Sequence, residues 1–240
     1  MLYPTHKKYG QVFGLSSIAV GASLGLLPVV NVSSMNSFSE VSSEIFVSFL
    51  FFYVCYLGAL FGAEFPDIDS PGSIPARKHY FIRRLFKLFQ VKHRGVFSHD
   101  FISLLIMFGG IYLFLDFIVG PFMRSLLENG VGNAELTPLV ALLSSGGLLL
   151  KLAKCYVVFS LIGAYSHLIA DASTKQGVWL FWKIKIHIVP VFITNWSFGG
   201  KKPFAQVFNT GTGWEILNRN LYTYILLPIS GILSFFMMFV

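Results

Sequence analysis

Long, almost uncharged apolar runs alternate with short polar segments along this chain. Five runs approach the roughly 20 residues that an α-helix needs to cross the hydrocarbon core of a bilayer. They predict membrane spans at residues 12–30, 45–63, 101–119, 152–170 and 221–240. The apolar positions are continuous rather than alternating, which excludes the strands of a membrane barrel. A further run at 139–150 is too short to cross alone, and Lys151 and Lys154 interrupt the apolar character just after it. It reads as a re-entrant segment, an interfacial helix or an extension of the fourth span. The stretch 184–198 is β-branched and aromatic with polar interruptions, the pattern of a short hairpin at the membrane surface. The basic flank of the first run, Lys7 and Lys8, resembles that of a signal peptide. Residues 28–33 make a poor cleavage site, so the run reads as a retained span. With no internal repeat and no linker, residues 1–240 form a single all-α domain, a polytopic helical membrane protein.

Composition agrees. Of 240 residues, 55% are hydrophobic and only 12% charged, and the mean hydropathy is +0.68. A soluble globule of this size keeps too much wet surface to hide so much apolar material, so the soluble, disordered, collagen-like and coiled-coil classes are out. The net charge of +7 would suggest nucleic acid in a soluble protein. In a membrane protein it marks cytoplasmic loops facing anionic lipid, and no nucleic-acid partner is expected. Cys55 and Cys155 lie inside apolar runs and read as small packing residues, not as a disulfide or thiolate framework.

Five spans put the N-terminus, 64–100 and 171–220 on one side. Two basic residues precede the first span, seven lie in 64–100 and six in 171–220, fifteen of the 18 Lys and Arg. The positive-inside rule makes this side cytoplasmic, with the N-terminus in and the C-terminus out.

Ionisable residues at the edges of apolar spans are expensive and point to function. Four groups stand out: His6; Glu64 with Asp67 and Asp69; His93, Arg94 and His99; and His167 with Asp171. The span count puts all four on the cytoplasmic side at one depth. A sixth crossing at 139–150 would send His167 and Asp171 to the opposite face. His167 and Asp171 are i and i+4 on a helix and share a face. Asp67 and Asp69 follow Pro66 and, in an extended turn, point the same way; two such carboxylates want a cation nearby. Asp with neutral His is the mixed donor set of Zn, Mn or Fe sites. Arg94 and the basic run 77–92 suit a phosphate or an anionic head group. Glu215, in a Thr- and Gly-rich stretch, is placed to orient a ligand or base.

Taken in order, these residues resemble the bacterial YdjM-like family of inner-membrane, LexA-regulated, metal-dependent hydrolases. The likeness rests on His6, then Pro66-Asp67-Ile68-Asp69 with Ser70-Pro71-Gly72-Ser73 and Ile74-Pro75-Ala76-Arg77. His93-Arg94-Gly95 leading to a second His follows, then His167-x3-Asp171-x2-Thr174-x2-Gly177 and the Thr/Gly/Glu element at 210–215. It covers roughly residues 5–220. In the family pattern the second histidine follows the first by five residues; here His99 follows His93 by six. The resemblance implies a metal-dependent hydrolase but supplies no substrate.

Two functions are therefore expected. The first is a membrane metallohydrolase in which Asp67, Asp69, His93, His167 and Asp171 bind one or two divalent ions. His6 and His99 complete the shell or transfer protons, and Arg94 offsets negative charge on a phosphoester, lipid-linked because the site lies at head-group depth. The second is a non-enzymatic membrane protein with a structural metal or a lipid or partner dock. A transporter ranks third, because its ligands would lie near mid-membrane.

Overall fold

The computed structural model describes residues 3–30, 38–91, 95, 97–129, 147–172, 178–181, 184–186 and 213–239. Its helices are α1 (Tyr3–Ser23), α2 (Phe38–Glu64), α3 (Ile74–Lys78), α4 (Tyr80–Leu88), α5 (Phe101–Phe114), α6 (Gly120–Asn129), α7 (Gly147–Ala172), α8 (Gly213–Leu221) and α9 (Leu227–Phe239). A 3₁₀ turn, Phe65–Asp69, follows α2. Single π turns at Leu115–Val119 and Tyr222–Leu226 join α5 to α6 and α8 to α9. A small antiparallel hairpin pairs β1 (Val178–Phe181) with β2 (Ile184–Ile186).

Among the described residues, four segments are long and apolar enough to cross a membrane: Val41–Asp69, Phe101–Met123, Gly147–Ala172 and Glu215–Phe239. This corrects the expected five. The first expected span falls short because α1 starts early and stops early. Its opening half carries His6, Lys7, Lys8 and Gln11, and it ends at Ser23. The stop is a Schellman cap. Gly25 turns left-handed at φ +68, the Leu26 N–H reaches Gly21 O at 2.8 Å, and the Gly25 N–H reaches Ala22 O at 3.0 Å. α1 nevertheless packs along α2, α7 and α9.

Other boundaries shift for local reasons. α7 starts at Gly147, so the end of the 139–150 run extends the fourth span; 139–146 lie outside the described residues. The last membrane helix begins at Glu215 rather than at 221, and its π turn is closed by the Leu227 N–H on Tyr222 O, one residue before Pro228. The expected hairpin at 184–198 instead uses 184–186 as its second strand, paired back to 178–181. Its remainder lies outside the described residues.

The bundle is held by small residues at crossing points, as membrane helices commonly are. Gly10 and Gly14 of α1 meet Ala63 and Ala59 of α2. Gly58 and Gly62 of α2 lie against the backbone of Tyr156 and Ser160 in α7, and Gly163 of α7 against that of Ala59. One apolar layer gathers Phe65, Ile68, Phe86, Leu104, Phe108 and Leu168 beneath the 3₁₀ turn. A second, around Ile18, Phe51, Cys55, Phe159 and Met238, closes the opposite end. There the Val30 N–H donates to Met238 O.

Candidate functional site

The same end of several helices carries the ionisable residues, and the close seams bring those ends together. His6 comes from the first turns of α1, Asp67 and Asp69 from the turn after α2, and His99 from the approach to α5. His167 and Asp171 come from the last two turns of α7. His6, His99, His167 and Asp171 are each at most 4% exposed, and Asp69 is 9% exposed. Local chemistry fixes each approach. Pro66 at the start of the 3₁₀ turn ends α2, and Ser73 pins the turn by donating to Asp67 O at 2.6 Å while capping α3 through the Ala76 N–H. Asp100 caps α5 by accepting from the Ser103 N–H at 2.8 Å, which seats His99 just ahead of the helix.

His167 is at the centre. Its ring stacks on His6 with centroids 3.6 Å apart and meets His99 edge-on at 5.5 Å. Its Nδ1 lies 2.8 Å from Ala63 O. A carbonyl can only accept, so Nδ1 carries the hydrogen, and in the neutral ring Nε2 carries the lone pair. Nε2 is buried and has no hydrogen-bond partner within 3.5 Å among the described residues; carboxylate oxygens near it are Asp171 Oδ2 at 3.6 Å and Asp67 Oδ1 at 3.8 Å. His6 Nε2 lies 3.4 Å from Asp171 Oδ1, and His99 Nε2 3.9 Å from Asp171 Oδ2. Two atoms each about 2.1 Å from one ion stand about 3.0–3.5 Å apart. The His6–Asp171 pair, at 3.4 Å, falls in that range and the other three are slightly wider; all are too long for good hydrogen bonds. Donor atoms of His6, Asp67 and His167, and of His99, His167 and Asp171, each lie within 4.8 Å of one another, so His167 is common to two candidate ligand groups.

Burial lowers the pKa of His6 well below the ordinary histidine value. The ring is neutral at physiological pH, the form that ligates metals.

The two aspartates do not sit side by side as expected from an extended turn. In the 3₁₀ turn they diverge. Asp67 faces His167, whereas Asp69 Oδ2 accepts from Ser98 Oγ at 2.5 Å and lies 3.5 Å from His99 Nδ1. With its hydrogen on Asp69, Ser98 Oγ accepts from His99 Nδ1–H at 3.1 Å. That leaves His99 Nε2 facing Asp171. Asp69 therefore orients His99. His93 and Arg94, named with these residues from the sequence, lie outside the described residues, as do Thr174, Gly177 and 210–212.

Glu64 belongs to a neighbouring network. It accepts from Tyr3 Oη at 2.8 Å and Lys78 Nζ at 2.7 Å, and His79 Nε2 lies 2.8 Å away. Burial and the Glu64 carboxylate push the Tyr3 phenol up to about 12, so it stays a donor. Glu215 accepts from Thr5 Oγ1 at 2.7 Å and so holds the residue next to His6. Ser98, Thr5 and the Ala63 carbonyl were not expected. Ser98 had a signal in its place beside His99; the other two had none.

No curated protein and no solved structure matches the chain. Residues 16–238, nearly all of it and all of the cluster but His6, match the YdjM inner membrane protein family, and the chain belongs to that family.

Proposed function

We propose that the protein is a membrane-integral, metal-dependent hydrolase acting on a phosphoester, lipid-linked, at the cytoplasmic face. The observation that carries this reading is His167 Nε2: a buried ring nitrogen, left with the lone pair in the neutral ring by the Ala63 carbonyl on Nδ1, aimed between two carboxylates at 3.6 and 3.8 Å, slightly wider than the spacing of two ligands on one ion. His6, Asp67, His99, His167 and Asp171 would hold one or two divalent ions such as Zn, Mn or Fe, with His93 from the adjacent segment. A bound ion supplies acidity to a water and offsets the charge of a phosphoryl group. The chain's own residues do the rest. Asp69 and Ser98 hold His99 in one tautomer. Thr5 and Glu215 fix the start of α1. Arg94 offsets substrate charge, and the basic residues of α3 and α4 attract anionic lipid.

The test is elemental mass spectrometry on detergent-purified protein, followed by a phosphoester screen with and without chelator. Stoichiometric metal, with hydrolysis lost on chelation and restored by one ion, is the expected result. Metal-free protein from chelator-free handling would sink the reading and favour a hydrogen-bonded structural or docking cluster.

Sidedness follows from charge. With α1 counted as a crossing beside the four long apolar segments, the chain segments assigned to the cluster's side hold fifteen of the 18 Lys and Arg. Reporter fusions are expected to place the N-terminus inside and the C-terminus outside. An external N-terminus would move the chemistry to the other face.

A further inference from the structure

At the far end of the bundle, α1, the start of α2 and α7 border a partly open groove of about 1290 Å³. Its walls are apolar, with Val12, Phe13, Val20, Phe51, Val158 and Phe159 among them. On α7 the lining positions recur at helical spacing from Lys151 through Cys155 to Ile162, so one stripe of that helix faces the groove.

Two lysines one turn apart stand at its end. Lys154 Nζ is engaged by Asp116 on the π turn after α5 and lies 5.4 Å from the centre of the Tyr112 ring. Lys151 is exposed and has no anionic partner among the described residues. From Lys151 to Asp171 the helix rises about 30 Å, the thickness of a hydrocarbon core. With the His/Asp cluster at one membrane surface, Lys151 stands at the level of the lipid phosphates of the other.

We propose that the groove binds an anionic phospholipid of that leaflet, its phosphate on Lys151 and an acyl chain along the α1–α7 stripe. Depth, apolar lining and a positive charge with no anionic partner among the described residues together select this occupant. A zwitterionic lipid would satisfy the walls but gain less from the lysine. The inference does not depend on the function proposed above.

Native mass spectrometry of the full chain in mild detergent, titrated with phosphatidylglycerol or phosphatidylcholine, tests it. Wild type is expected to bind one phosphatidylglycerol about fivefold more tightly than phosphatidylcholine, the effect of one lysine near a lipid phosphate. Lys151→Gln, an exposed change that leaves the packing alone, should erase the preference. Val158→Trp, which fills the groove, should weaken both lipids. Equal binding of the two lipids by wild type, a preference that survives Lys151→Gln, or no lipid bound beyond detergent background would each overturn the proposal.

Discussion

Replacing His167 with alanine is expected to strip the protein of metal and of metal-dependent hydrolysis. The imidazole is the donor common to both candidate ligand groups, so no arrangement of the remaining residues reproduces either. Loss of groups that merely orient ligands costs about 10–100-fold in metal affinity, and loss of a ligand costs more. Affinity should therefore fall more than about 100-fold, read by elemental analysis after dialysis against a weak chelator. His167 is fully buried and stacked on His6, so the alanine variant also loses packing. Asp67→Asn removes that ambiguity. It is nearly isosteric, at a partly exposed position, and keeps its backbone bond to Ser73. It should fold like wild type and still bind metal far more weakly. Both variants folded and fully loaded would refute the site.

The sequence showed the membrane class and the common depth of the cluster because both follow from a coarse property. Charged residues stay out of hydrocarbon, so their positions mark span ends. It misplaced the ends themselves where polar residues continue a helix. Glu215, Asn218 and Arg219 belong to the last membrane helix, yet their polarity hid its start. α1 shows the converse: Gly25 cut the first apolar run short by a backbone turn that hydropathy does not score.

Six of the residues named from the sequence, His6, Asp67, Asp69, His99, His167 and Asp171, are brought together by the fold, but their pairing was not legible. Alternation through an extended turn would have set Asp67 beside Asp69. Pro66 instead starts a 3₁₀ turn, which sends one carboxylate to His167 and the other to Ser98 and His99. Glu64 was drawn away by Tyr3, Lys78 and His79, contacts made by separate helices and therefore absent from any local pattern. The Ala63 carbonyl, which sets the His167 tautomer, leaves no trace in side-chain chemistry at all.

Gly62→Leu is expected to be the most damaging single change away from the ionisable residues. A side chain at Gly62 would run into the Ser160 carbonyl of α7, and one at Gly163 into the Ala59 carbonyl of α2. Both obstacles are helix backbone, which cannot rotate aside as a side chain can. Relief requires α2 and α7 to separate along their whole seam, with loss of van der Waals contact that no hydrophobic driving force replaces within lipid. Overpacking of tight cores costs about 1–3 kcal/mol and sometimes more; with rigid backbone on the far side, the upper end or beyond applies. Gly110→Leu is the matched control, because nothing lies within 4 Å of a side chain placed there on α5. Thermal unfolding in detergent should show Gly62→Leu melting far below wild type and Gly110→Leu close to it. Equal melting of the two variants would mean that the seam is not where the bundle is tight. The same change should also empty the site, since Ala63, the next residue, supplies the carbonyl that holds His167.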